Sequence, residues 1–244
     1  MPLLQESLLF AGFLRKTMTP TLPIEPDEMR LVLLRYKAHH AMYSYEELTR
    51  LGINPEFVFA LLEVFEDQES FNQIKFDRFR LEVIVDYIRK THEYYLHRKM
   101  LEIDQSIHLL LAGYQEAHPL LLILNDAYSA YKTHLSSHIE VEESQFLPYI
   151  LHLEKVADGK ASFQAYPSSY SLERFLVHHH DTEKDLAEIR AMILHYSPPP
   201  TSETLHRILL SQLQVFEKDL AIHALIEDDV LIPRAMALER QWGR

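Results

Sequence analysis

At 244 residues, 47% of them apolar, the chain can hold one large domain or an ordinary domain beside a small one. Five glycines and twelve prolines are too few for a many-turned all-β protein, so a mainly helical fold is expected. A formal charge of −12 offers no basic surface to nucleic acid or an anionic membrane, and the absence of cysteine excludes disulfides, thiolate-held zinc, thiol nucleophiles and cysteine-held clusters, which leaves histidine and carboxylate as metal ligands.

The N-terminal stretch MPLLQESLLFAGFLRK is broken by Glu6 and has no basic residue ahead of it, so it makes a poor signal peptide, and no apolar stretch reaches membrane-spanning length. A cytoplasmic protein is expected. Residues 1–72, with prolines at 20, 23, 26 and 55, predict a small helical domain. Within it SYEELTRLGINPEFVFALLEVF reads as two short helices, Gly52 ending the first and Asn54-Pro55 starting the second.

Residues 73–244 predict a four-helix bundle of up-down-up-down order. Segments with helical periodicity run from about Phe79 to Tyr114, Leu120 to Val156, Tyr170 to His195 and Ser202 to Gln241. Short breakers separate them, which makes neighbours antiparallel: Glu116 to Pro119, the loop ADGKASFQAYPSS, and YSPPP at 196–200.

The fourth segment steps its apolar stripe through Leu209, Leu213, Phe216, Leu220, His223, Glu227 and Val230, placing a histidine and a glutamate at core positions. The second does the same through Leu124, Tyr128, Tyr131, Leu135, His138, Glu142 and Gln145. The two stretches also share their spelling: HIEVEESQFLP at 138–148 and HALIEDDVLIP at 223–233 both place a glutamate four residues and a proline ten residues after a histidine. The first segment carries His92 inward on the stripe Leu81, Val85, Ile88, His92, Leu96, Met100 and Ile103. The third offers His179, in step with Leu172, Phe175, Leu186, Ile189 and Ile193, or its neighbour His180, in step with Leu176 and Ala187.

Carboxylates buried without partners would each cost several kcal/mol of desolvation, and a neutral imidazole is a poor remedy. Shared metal ions remove that cost. His and Glu one helical turn apart reach one centre or bridge two, and four histidines with two glutamates exceed one tetrahedral zinc but suit two six-coordinate ions. Iron is the natural occupant of such an oxygen- and imidazole-rich pair. His97, His108, His118, His152, His195 and His206 are expected to be surface or packing residues, while His134 and Tyr131 lie near enough on the stripe to border the centre. A dinuclear hydrolase is disfavoured, since no glycine-rich loop is present to cradle a phosphate.

Over residues 79–240 this pattern resembles the hemerythrin-like (HHE) family, whose four-helix bundle holds a non-haem di-iron centre. His92 matches its first-helix ligand, His138 with Glu142 and His223 with Glu227 its two H-x3-E motifs, the latter followed by LIPRA, and His180-Asp181 its third-helix pair. The resemblance implies the ligand set His92, His138, Glu142, His180, His223 and Glu227 around two oxo- or hydroxo-bridged irons. Oxygen carriers add an H-x3-H on the third helix, where this chain has Lys184. Four His and two Glu are closer to the iron–sulfur cluster repair di-iron proteins, the repair of iron centres family, whose small N-terminal domain resembles residues 44–62. That family has a Cys-Cys pair just upstream, and here the place holds KAHHAM with His39 and His40. The resemblance implies iron and nitric oxide stress handling or cluster repair with an iron–sulfur protein acceptor, or else a module that binds oxygen or nitric oxide as a sensor.

Overall fold

A computed structural model describes residues 32–36, 44–113, 119–166, 170–178, 182–194 and 202–242. The fold is all-helical, with no strand among the described residues. The chain divides into two compact units, Met1–Ile74 and Lys75–Arg244.

In the first unit, α1 (Tyr45–Arg50) and α2 (Pro55–Glu66) form where the sequence predicts them. Ser44 caps α1, its hydroxyl accepting from the Glu47 amide at 3.2 Å. Gly52 then takes a φ of 74°, which side-chain-bearing residues rarely adopt, and so ends the helix. Asn54 Oδ1 accepts from the Phe57 amide at 3.0 Å, with Pro55 pre-set for the first turn. Leu48, Phe57, Leu61, Val64 and Phe65 form the unit's core, and the buried Arg35 guanidinium lies 5.5 Å from the centre of the Phe65 ring. His39 and His40 lie outside the described residues.

The second unit holds α3 (Leu81–Tyr94), α4 (Met100–Ala112), α5 (Pro119–Val141), α6 (Leu147–Ala157), α7 (Leu172–His178), α8 (Thr182–Leu194), α9 (Glu203–Ile226) and α10 (Ile232–Trp242). Three of the joints are five-residue π-helical turns that let the helical run continue: Tyr95–Lys99 between α3 and α4, Glu142–Phe146 between α5 and α6, and Glu227–Leu231 between α9 and α10. α4 packs on α5 and α9, and α8 packs on the same two; beyond the π turns α6 packs on α3 and α10, and α10 on α7. The first two runs are antiparallel. At one end the Glu154 carboxylate of α6 accepts from the first amides of α3, Leu81 and Glu82, both at 3.0 Å, and at the other Lys132 bonds Asp104. Glu154 supplies from a neighbouring helix the cap that Arg80 does not provide.

The π turns account for the prolines in the two repeated stretches. Pro148 and Pro233 have no N–H to donate, and their rings collide with the carbonyl four residues back in a regular helix. In both stretches the turn just ahead widens: the Leu147 amide reaches back to Glu142 O and the Ile232 amide to Glu227 O, five residues rather than four. Each such turn adds one residue and rotates the helix beyond it. The stripe read from the sequence puts Gln145 inward. The structure instead exposes Gln145 and buries Phe146, whose ring stacks on Phe175 at 4.3 Å between centroids.

This register is testable by denaturation. Phe146→Ala removes a fully buried ring and is expected to cost about 3–5 kcal/mol, while Gln145→Ala is expected to stay within about 0.5 kcal/mol of wild type. Equal effects, or the reverse order, would restore the uninterrupted stripe.

Candidate metal centre

Five of the six residues read as ligands meet in the interior of the second unit. His92 comes from the last turn of α3, His138 from the end of α5, Glu142 from the start of its π turn, His223 from the end of α9 and Glu227 from the start of the third π turn. The sixth, His180, and its alternative His179 lie outside the described residues.

Glu142 is the hub. Its Oε1 lies 2.8 Å from His138 Nε2 and its Oε2 lies 3.1 Å from His92 Nε2, so each oxygen of one carboxylate faces a different imidazole. Across from it, Glu227 Oε2 stands 3.6 Å from His223 Nε2, and the His92 and His223 rings approach to 5.1 Å between centroids. Two sets of donor atoms result, each lying within 4.8 Å of one another: His92, Glu142 and His223, and His138, Glu142 and Glu227. His138, with 14% of its side chain accessible, is the most open of the five.

The surroundings are aromatic and apolar. Tyr95 lies edge-on to His223 at 5.8 Å and to Phe216 at 5.0 Å, and Tyr131 borders Phe216 from the second run. In such a setting two adjacent carboxylates are hard to keep ionised. Burial first, then the Glu142 charge, pushes the Glu227 carboxyl well above its ordinary 4.5. Burial by itself would depress the His92 imidazole, but the hydrogen-bonded carboxylates of Glu142 and Glu143 more than offset it and hold its pKa above the usual 6.5. Glu227 Oε1, buried, has no hydrogen-bond partner among the described residues. Imidazole and carboxylate donors, two sharing a bridgeable carboxylate and one oxygen left over, fit a pair of divalent cations better than they fit a self-contained polar network.

Glu143, missed by periodicity, lies behind His92: His92 Nδ1 is 2.8 Å from Glu143 Oε1, and Arg89 Nε donates to Glu143 Oε2 at 3.2 Å. The signal that could have found it is the doubled glutamate at 142–143, whose second member points back across the interface with α3. Asp219, one turn before His223, is also buried, as is Lys99 in the first π turn. Burial lowers the Lys99 pKa, and the charges of Glu102 and Asp219 oppose that shift. His134 is exposed rather than bordering the centre, and His97 and His108 are exposed as expected. His206 is a packing residue, its Nε2 3.0 Å from the Ile193 carbonyl oxygen, and the half-buried His152 ring lies 5.1 Å from that of Tyr166.

Comparison with family models, curated proteins and solved structures finds no match.

The two raised pKa values fix a pH dependence for metal-free protein. Both groups hold protons in the folded state that the unfolded chain releases, Glu227 above about 4.5 and His92 above about 6.5. Fewer protons are then bound by the unfolded chain than by the folded one, so stability falls as pH rises. In chelator-treated protein the melting temperature is expected to decline from mildly acidic to alkaline pH. Glu227→Gln is expected to flatten the decline. Added divalent metal is expected to reverse it, because metal replaces those protons. A melting temperature that rises over this range in metal-free wild type would contradict the assignment.

Proposed function

We propose that the chain is a non-haem di-iron protein of hemerythrin-like type, its second unit a four-helix bundle around two irons, preceded by a small helical domain, and that it serves iron and nitric oxide stress handling or iron–sulfur cluster repair. The observation that carries this reading is the division of the Glu142 carboxylate, one oxygen toward His138 and the other toward His92, with Glu227 beside it. A carboxylate set between two imidazoles in an apolar core has the disposition of a bridging ligand. The circuit of packed helices α4, α5, α8 and α9 supports the bundle, and no described helix is long and apolar enough to cross a membrane.

His92, His223 and Glu142 would hold one iron and His138, Glu142 and Glu227 the other, with His180 completing the set. Bound there, an iron pair supplies redox change and coordination positions for a small diatomic molecule. The protein's own contribution is the dry, aromatic wall of Tyr95, Phe216 and Tyr131, which limits water, and the fixed carboxylates, which hold charge where it is needed. The partial exposure of His138 favours a centre that exchanges metal with an iron–sulfur acceptor over one that only senses oxygen or nitric oxide.

Aerobically purified protein is expected to hold about two irons per chain with charge-transfer absorption. Glu142→Ala, which removes a donor common to both groups, is expected to lose most of that iron. At iron about a hundredfold above its Kd, losing it removes about 2.7 kcal/mol of stabilisation, a drop in melting temperature of about 5–10 °C for a chain of this size. Iron content unchanged in Glu142→Ala would end the reading. Reduced wild type mixed with a chelator or an apo iron–sulfur protein is expected to release iron within minutes; retention together with reversible nitric oxide binding would put sensing first.

A further inference from the structure

Glu143 and Arg89 stand behind one edge of the metal centre proposed above, and a role for them rests on that centre. His92 is 2% accessible, so a proton on either ring nitrogen needs an acceptor inside the protein. Both nitrogens face carboxylates: Nε2 lies 3.1 Å from Glu142 Oε2, and Nδ1 lies 2.8 Å from Glu143 Oε1. A neutral imidazole carries one proton and one lone pair, and a lone pair pointed at a carboxylate oxygen is repelled. Only Nδ1 is hydrogen-bonded, to Glu143; Nε2 and Glu142 Oε2 lie close without hydrogen-bond alignment, a disposition that a cation between them satisfies while the ring's one proton stays on Nδ1.

The two carboxylates are not equivalent. Glu142 is fully buried and shared with His138, whereas Glu143 is a third exposed and is held on its far oxygen by Arg89 Nε at 3.2 Å. That guanidinium orients the Glu143 carboxylate, with Oε1 toward the imidazole and Oε2 on the guanidinium. A half-exposed ion pair of this kind adds little to stability alone. Its consequence here is directional, because the acceptor it fixes is the one behind the ring.

We propose that Glu143, braced by Arg89, is a positioning residue that takes the Nδ1–H of His92 and so presents the Nε2 lone pair to the metal beside Glu142. The pair fixes both the rotation of the ring about its bond to the chain and the choice of ligating nitrogen. Loss of such a partner behind a ligating histidine typically costs 10–100-fold in metal affinity. The control lies on the other side of the repeat: Asp228 follows Glu227 as Glu143 follows Glu142, so Asp228→Ala removes a charge at the matching step of the other stretch.

The test uses the full chain with two metal probes. Ferrous iron is loaded without oxygen and its loss to a chelator is timed. Glu143→Ala is expected to lose iron at least 10-fold faster than wild type, and Arg89→Ala to fall between them. Glu143→Gln, whose amide oxygen can still accept from Nδ1–H, is expected to stay closer to wild type than Glu143→Ala. Zinc-loaded protein gives the second readout: the His92 Nδ1–H proton is expected as a slowly exchanging, downfield NMR signal in wild type, absent from Glu143→Ala and retained in Asp228→Ala. A purely structural role would lower stability without touching that signal. Iron loss at the wild-type rate in Glu143→Ala, with the signal intact, overturns the proposal while leaving the centre standing if Glu142→Ala still loses its metal. If Glu142→Ala keeps its metal too, the centre itself is wrong and the positioning role falls with it.

Discussion

Two carboxylates set side by side in an apolar interior are the constraint on which the second unit depends. Glu142 and Glu227 are both essentially inaccessible, and their mutual repulsion adds to the desolvation that each suffers. Protons can relieve it, on Glu227 and on His92, and so can metal. The first solution weakens at neutral and higher pH; the second does not. The neighbouring side chains keep that choice sharp: the rings of Tyr95, Phe216 and His223 stack edge to face and exclude water that could otherwise dilute the charge.

The scaffold meets this constraint by bending a rule of helix geometry. A regular helix carries residues four apart on one face, which explains why a histidine and a glutamate four apart can share a target. It cannot also accept a proline six residues after the glutamate without losing a hydrogen bond and meeting a carbonyl. Opening one turn to π geometry resolves the conflict at Pro148 and Pro233, and in both stretches the wide turn begins at the glutamate itself. The site and the joint are thus one feature. The remaining π turn, Tyr95–Lys99, begins three residues after His92 and turns Tyr95 toward His223, although no proline lies beyond it in α4.

Much of this was legible in the sequence because periodicity reports burial directly. The stripe through Leu209, Leu213, Phe216, Leu220, His223, Glu227 and Val230 is buried throughout, and the predicted helical runs match α3–α4, α5–α6 and α9–α10 to within a few residues. Where the stripe failed, at Gln145, the cause was an assumption of unbroken α geometry across a proline whose accommodation periodicity does not encode. Glu143 was invisible for a different reason. It lies off the stripe, and its role depends on the position of Arg89 and His92 on another helix, which spacing along one segment cannot reveal.

The absence of thiols narrows how the proposed centre could give up iron. A protein with cysteines beside its metal can pass iron from ligand to ligand, thiolate replacing imidazole without a bare intermediate. This chain has none, so exchange must begin by weakening a histidine or carboxylate. The five donors are not equally easy to weaken. Glu142 and Glu227 are essentially inaccessible, and His92 is backed by a braced carboxylate, whereas the His138 side chain already meets solvent. Departure of His138 would open only the iron it serves, leaving the His92 and His223 side closed. A centre with one accessible edge and one sealed edge can release a single metal ion while the fold, held by the other, persists; that asymmetry is what a delivery role requires and what a sensor does not use.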